Sequence, residues 1–94
     1  MAIKKIIIAD DHSFIRLGLI QILKDEFPGI EIIETADGES LVKEVRQQDF
    51  DLVISDLDMP GRNGLEALEQ IKQIKPHLPV LILSIYADEL YAIR

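Results

Sequence analysis

The sequence contains no cysteine. Without thiols it cannot be a disulfide scaffold, hold a thiolate zinc site or use a cysteine nucleophile. Basic residues are scarce: 10 Lys and Arg stand against 17 Asp and Glu, a net charge of −7. That balance argues against direct contact with nucleic acid or an anionic membrane surface by this chain alone. Long apolar runs are missing too, since none approaches the ~20 residues of a membrane span. The opening stretch, Met1 to Ile8, is too short for a signal-peptide core, and Asp10-Asp11 ends it. Neither G-x-x-x-x-G-K-[ST] nor G-x-G-x-x-G occurs, so nucleotide binding has little support, and Gly61 and Gly64 read as turn residues. Internal repeats, low-complexity segments and linkers are absent. What remains is 94 residues, 48% of them hydrophobic. This is enough for one acidic domain with its own core, read as soluble and cytoplasmic.

Four short apolar runs organise the chain: Ile3–Ala9, Ile30–Thr35, Leu52–Ser55 and Val80–Ser84. They are rich in Ile, Val and Leu and do not alternate with polar residues, which predicts strands buried on both faces of a parallel sheet. Helical patterns fill the gaps. Ser13, placed as an N-cap, opens a helix to about Glu26, before Pro28-Gly29, with an apolar arc of Ile15, Leu19, Ile22, Leu23 and Phe27. A second runs from Glu39 to about Gln48, with Leu41, Val42 and Val45 on one side. A third runs from Leu65 to about Lys75, with Leu65, Leu68, Ile71 and Ile74 as its stripe. A last helix begins at Ala87 and is cut at Arg94. The β-α-β-α-β-α-β-α order predicts an α/β fold with a doubly wound parallel sheet, incomplete as it stands.

Ligands of open α/β sheets bind beyond the carboxyl ends of the strands. Strand one delivers Asp10-Asp11 there, strand three delivers Asp56, and strand four delivers Ser84. If strands one and three are neighbours, three carboxylates converge, and their repulsion calls for a cation. Hard carboxylate oxygens with few other ligands favour Mg²⁺. Singly, each residue has a plainer reading: Asp10-Asp11 as helix caps, Asp56 as a turn starter before Met59-Pro60-Gly61, Ser84 as a strand-end hydroxyl. Their coincidence at one sheet edge favours a site. His12 and His77 have no partner at ligand spacing and read as solvated.

Together these residues, with the loop Met59-Pro60-Gly61 and Asn63-Gly64, resemble the receiver domain of bacterial two-component response regulators. Ala9-Asp10-Asp11-His12, Leu81-Ile82-Leu83-Ser84 and Tyr91-Ala92-Ile93-Arg94 look most like the NarL/FixJ (LuxR-type) branch. The resemblance spans all 94 residues. It implies a flavodoxin-like topology with four of five βα units present. It implies Asp56 as phosphoacceptor from a sensor histidine kinase. Mg²⁺ would be held directly by Asp11 and Asp56, mainly through water by Asp10, and by the backbone carbonyl of Asp58. Ser84 would be the switch hydroxyl, and Asp58 and Tyr86 would tune the lifetime of the phosphoryl group. In a full-length parent it further implies a helix-turn-helix DNA-binding domain and control of transcription.

The family's lysine, which ends a fifth strand, has no counterpart, since Lys72 and Lys75 fall in the third helix. Without that strand and the helix after it, residues 78–84 would form an apolar edge and Phe14 and Leu17 would lie open, which predicts self-association. Two other readings remain. Asp56-Leu57-Asp58 also suits a haloacid-dehalogenase-like phosphohydrolase, although that motif belongs on a first strand. A dimerisation module independent of phosphorylation is the other, against which the retained acids and Ser84 speak.

Overall fold

A run of β-branched residues that offers apolar surface on both sides can only be satisfied at the centre of a sheet. In the computed structural model, which describes residues 3–57 and 64–83, Ile6-Ile7-Ile8 does this. These three and Ala9 have no exposed surface. The elements are β1 Lys5–Ala9, α1 Ser13–Glu26, β2 Glu31–Thr35, α2 Gly38–Gln47, β3 Leu52–Asp56, α3 Gly64–Ile74 and β4 Val80–Leu83. All pairings are parallel, in the order β2-β1-β3-β4. The register sets Ile7 opposite Ile33 on β2 and Val53 on β3.

The alternation of side chains along β1 divides the core in two. Ile7 and Ala9 face α2 and α3, packing with Leu41, Val45, Val53 and Ile71. Ile6 and Ile8 face α1, where Leu19, Ile20 and Leu23 cover them. The two helix-bearing faces give the doubly wound α/β arrangement expected.

Several details differ from expectation. The outer strands are not buried on both faces: β2 is only half-buried, and Leu81 on β4 is 51% exposed. Ile3 and Ile30 lie just outside β1 and β2, still packed on the α1 side. Asp56 falls inside β3. The arc of α1 is rotated: Ile20 faces the sheet, whereas Ile22 is 60% exposed and Phe27 is also open. Leu65, assigned to the stripe of α3, is exposed as well. His12 occupies the N-cap position of α1 in place of Ser13, without a side-chain cap bond. Helix α2 starts one residue early, at Gly38, because the Asp37 carboxylate accepts the Ser40 amide at 2.7 Å. Phe14 and Leu17, by contrast, point outward from α1 as expected. The fourth strand is described only to Leu83, and Ser84 and the helix expected from Ala87 lie outside the described residues.

Candidate functional site

The strand order reverses direction between β1 and β3, because the chain passes from β1 outward to β2 and then back to the other side. The crevice beyond the carboxyl ends of such a pair is where open α/β sheets bind ligands. Asp10 leaves β1 at that point and Asp56 closes β3. Asp10 is fixed by its own amide, which donates to the Thr35 carbonyl on β2 at 3.1 Å. Its carboxylate accepts the His12 backbone amide at 2.7 Å, a tight turn that delivers the chain into α1. The helix-cap reading of the acidic pair is thus half right: Asp10 organises the turn, yet it does not cap the helix.

Asp10, Asp11 and Asp56 meet as the sequence predicts. Asp10 and Asp56 are buried, at 1% and 2% side-chain exposure, and Asp11 is one-third open. The fourth member is the correction. His12 is not merely solvated: its Nδ1 lies 3.0 Å from Asp10 Oδ1, 3.1 Å from Asp11 Oδ1 and 3.4 Å from Asp56 Oδ2. The hydrogen bond to Asp10 raises the His12 pKa above the ordinary 6.5, helped by the charges of Asp11, Asp10 and Asp56 and opposed by desolvation. One potential donor atom from each of the four residues falls within 4.8 Å of the others. His77 is exposed in the α3–β4 connection, as expected.

Arg16 is a second residue that sequence reasoning missed. It lies one helical turn after His12, on the sheet side of α1. Its Nη1 donates to the Asp10 carbonyl, and its Nε donates to Glu34 Oε1 at 2.9 Å. The guanidinium therefore ties the backbone of the acidic turn to β2. A basic residue in line with Leu19 and Leu23, where the stripe should be apolar, was the available signal. Ser84, Asp58 and Tyr86 lie outside the described residues.

Three carboxylates brought this close together offer hard oxygen donors. This donor set fits a divalent cation of the Mg²⁺ type, which keeps waters and binds through one or two carboxylates. Asp10, Asp11 and Asp56 are the residues that would hold it.

Comparison with known proteins agrees with this geometry. Residues 6–94 match the family described as the response regulator receiver domain. The chain is 42% identical over 86 residues to the glycerol metabolism activator of Pseudomonas putida, covering 90% of this chain and 39% of that protein. It is similar to the response regulator protein TrrA of Thermotoga maritima in complex with Mg²⁺-BeF, with TM-score 0.83 and 35% identity over 90% of this chain and 72% of that one. TrrA in complex with the histidine kinase ThkA gives TM-score 0.82 and 34% identity over 97% and 75% of the two chains. A LuxR-family two-component response regulator from Aurantimonas gives TM-score 0.81 and 29% identity over 90% and 61%. The chain spans about two fifths of the length of the curated relatives it matches.

Proposed function

Since this chain belongs to the response regulator receiver domain family, in keeping with the NarL/FixJ branch, we propose that it is a phosphorylation-controlled switch with Asp56 as the acceptor. The observation that carries this reading is the burial of Asp56 at the end of β3, beside Asp10 and Asp11 at the β1–β3 crevice. A carboxylate oxygen of Asp56 forms the bond to phosphorus while the P–N bond of a kinase phosphohistidine breaks, its electron pair leaving with the imidazole nitrogen. The product is an acyl phosphate, and attack of water returns the carboxylate and releases phosphate. Asp11 and Asp56, Asp10 through water, and the Asp58 carbonyl would hold Mg²⁺, which when bound neutralises charge on the transferring group. The backbone of Asp10 keeps its place through the Thr35 and Arg16 contacts, and its carboxylate through the His12 amide, so Asp10 is in position before the donor arrives. Ser84 would then hydrogen-bond the phosphoryl group as the switch step, with Asp58 and Tyr86 setting its lifetime.

A sensor histidine kinase is the proposed partner, as the TrrA–ThkA complex supports. A cytoplasmic location fits, since no helix among the described residues is long and apolar enough to cross a membrane. Transcription control is the proposed output of the full-length protein, in line with relatives named as transcriptional regulators. Contact with nucleic acid would be made by another part of that protein. Self-association through the surface bearing Phe14 and Leu17, and through the edge at 78–84, belongs to the same reading. Both residues are exposed.

Mass spectrometry tests this reading. The chain, and a version lengthened by the family's fifth strand and helix, are incubated with Mg²⁺ and acetyl phosphate beside Asp56→Asn. We expect one added phosphoryl group, absent from the variant. Unmodified mass in both folded chains overturns the assignment. Native spectra of the same samples report monomer against dimer, and a monomer at all concentrations removes the self-association.

A further inference from the structure

Asp11 is the most open of the three aspartates, at 34% side-chain exposure, yet the peptide units on both sides of it are held. After it, the His12 amide donates to Asp10 Oδ1 at 2.7 Å. Before it, the Asp10 carbonyl accepts Nη1 of Arg16. A peptide unit is rigid and planar, so holding the oxygen of one and the amide of the next fixes the backbone course of Asp11. That course sets the direction of its Cβ and brings its carboxylate to Asp10 and Asp56. The guanidinium is itself braced: Nε donates to Glu34 Oε1 at 2.9 Å, and the Arg16 side chain is only 21% exposed. Glu34 stands opposite Ile8 in the register of β1 and β2, and the Asp10 amide bonds to Thr35, the next residue of β2. The brace therefore starts from the sheet.

We infer that Arg16, braced by Glu34, is a positioning residue that sets the Asp11 carboxylate in the cation site. The inference rests on the proposed reading of Asp10, Asp11 and Asp56 as that site. Charge and position act in opposite senses here. A guanidinium beside the acids repels a second cation, so by charge alone loss of Arg16 would tighten Mg²⁺ binding. By position it does the reverse, because losing a partner that orients a metal ligand weakens binding by roughly 10–100-fold. Lysine carries the same charge as a compact point and cannot form both bonds of the fork.

NMR titration with Mg²⁺ alone, followed at the amides of Ala9 and Asp11, gives the affinity of wild type, Arg16→Gln, Arg16→Lys, Glu34→Ala and Asp56→Asn. Binding is expected to weaken by roughly 10-fold in Arg16→Gln and by at least about 3-fold in Arg16→Lys. The lysine variant keeps the charge and the covered stem, so it carries the test should the glutamine variant fail to fold. Glu34→Ala is expected to weaken binding in wild type and to add nothing in Arg16→Lys, since residues that act through one another are not additive. Wild-type affinity in Arg16→Lys, or unchanged or tighter binding in Arg16→Gln, overturns the positioning role while Asp56→Asn still binds weakly. Additive effects of Glu34→Ala and Arg16→Lys overturn the brace. Equal Mg²⁺ affinity in wild type and Asp56→Asn overturns the cation site itself.

Discussion

Two isoleucines provide a direct test of how α1 and α3 are packed. Ile71 on α3 has no exposed surface and sits among Leu41, Val45 and Val53, whereas Ile22 on α1 is 60% exposed. Both are mid-helix, so replacement by alanine removes the same carbons and brings the same gain in helix propensity, a few tenths of a kcal/mol. At Ile71 the loss is ~2.4 kcal/mol from transfer, at ~0.8 kcal/mol per buried carbon. The cavity left between α2, α3 and β3 raises the total to ~3–4 kcal/mol, inside the range for buried Ile→Ala changes. At Ile22 the change stays within ~0.5 kcal/mol. A chain of this size has ~5–14 kcal/mol of stability in all, so Ile71→Ala removes a substantial share. Urea denaturation followed by far-UV circular dichroism reads the difference. With m near 1.5 kcal/mol/M, the midpoint falls by ~2–2.7 M for Ile71→Ala and hardly moves for Ile22→Ala. Equal shifts, or a larger one for Ile22, would refute the orientation of α1 described here.

Glycine substitutions should act in opposite directions. Gly18 lies on the exposed face of α1 with nothing within 4 Å of an added Cβ, so Gly18→Ala stabilises by ~0.5–1 kcal/mol. Gly29 also has open space, but its φ of +84° makes Gly29→Ala cost ~1–2 kcal/mol through backbone strain. Thermal melts of the two variants check both signs. The Asp51 carboxylate accepts the backbone amides of Lys4 and Lys5, at 2.8 and 3.0 Å, which hold its pKa below the ordinary 3.8. A lowered folded pKa adds stability above the unfolded value and loses it as pH falls through the folded one. Wild type should therefore exceed Asp51→Asn in stability near pH 6, with the gap closing as pH falls below the ordinary 3.8 and through the lower folded value. A gap that does not depend on pH would count against this bond.

The element order, the parallel sheet and the three aspartates at its edge were legible in the sequence. Those features are local: β-branched runs of strand length, helical stripes between them, and acids at the residue where each run stops. Asp10, Asp11 and Asp56 could be singled out because the strand ends, wherever the strands lie, share one side of an open sheet. Tertiary structure alone decided the rest. Helix α1 carries apolar residues around more than one side, so its sequence allowed either Ile20 or Ile22 to face inward. Contact with Ile6 and Ile8 chose Ile20. Arg16 is aligned with the covered stripe, and only the place of β2 shows that its guanidinium grips the Asp10 backbone and Glu34. His12 has no ligand spacing of its own in the chain. It meets Asp56 because β1 and β3 are neighbours, and long-range pairing of that kind is not encoded in the spacing of nearby residues.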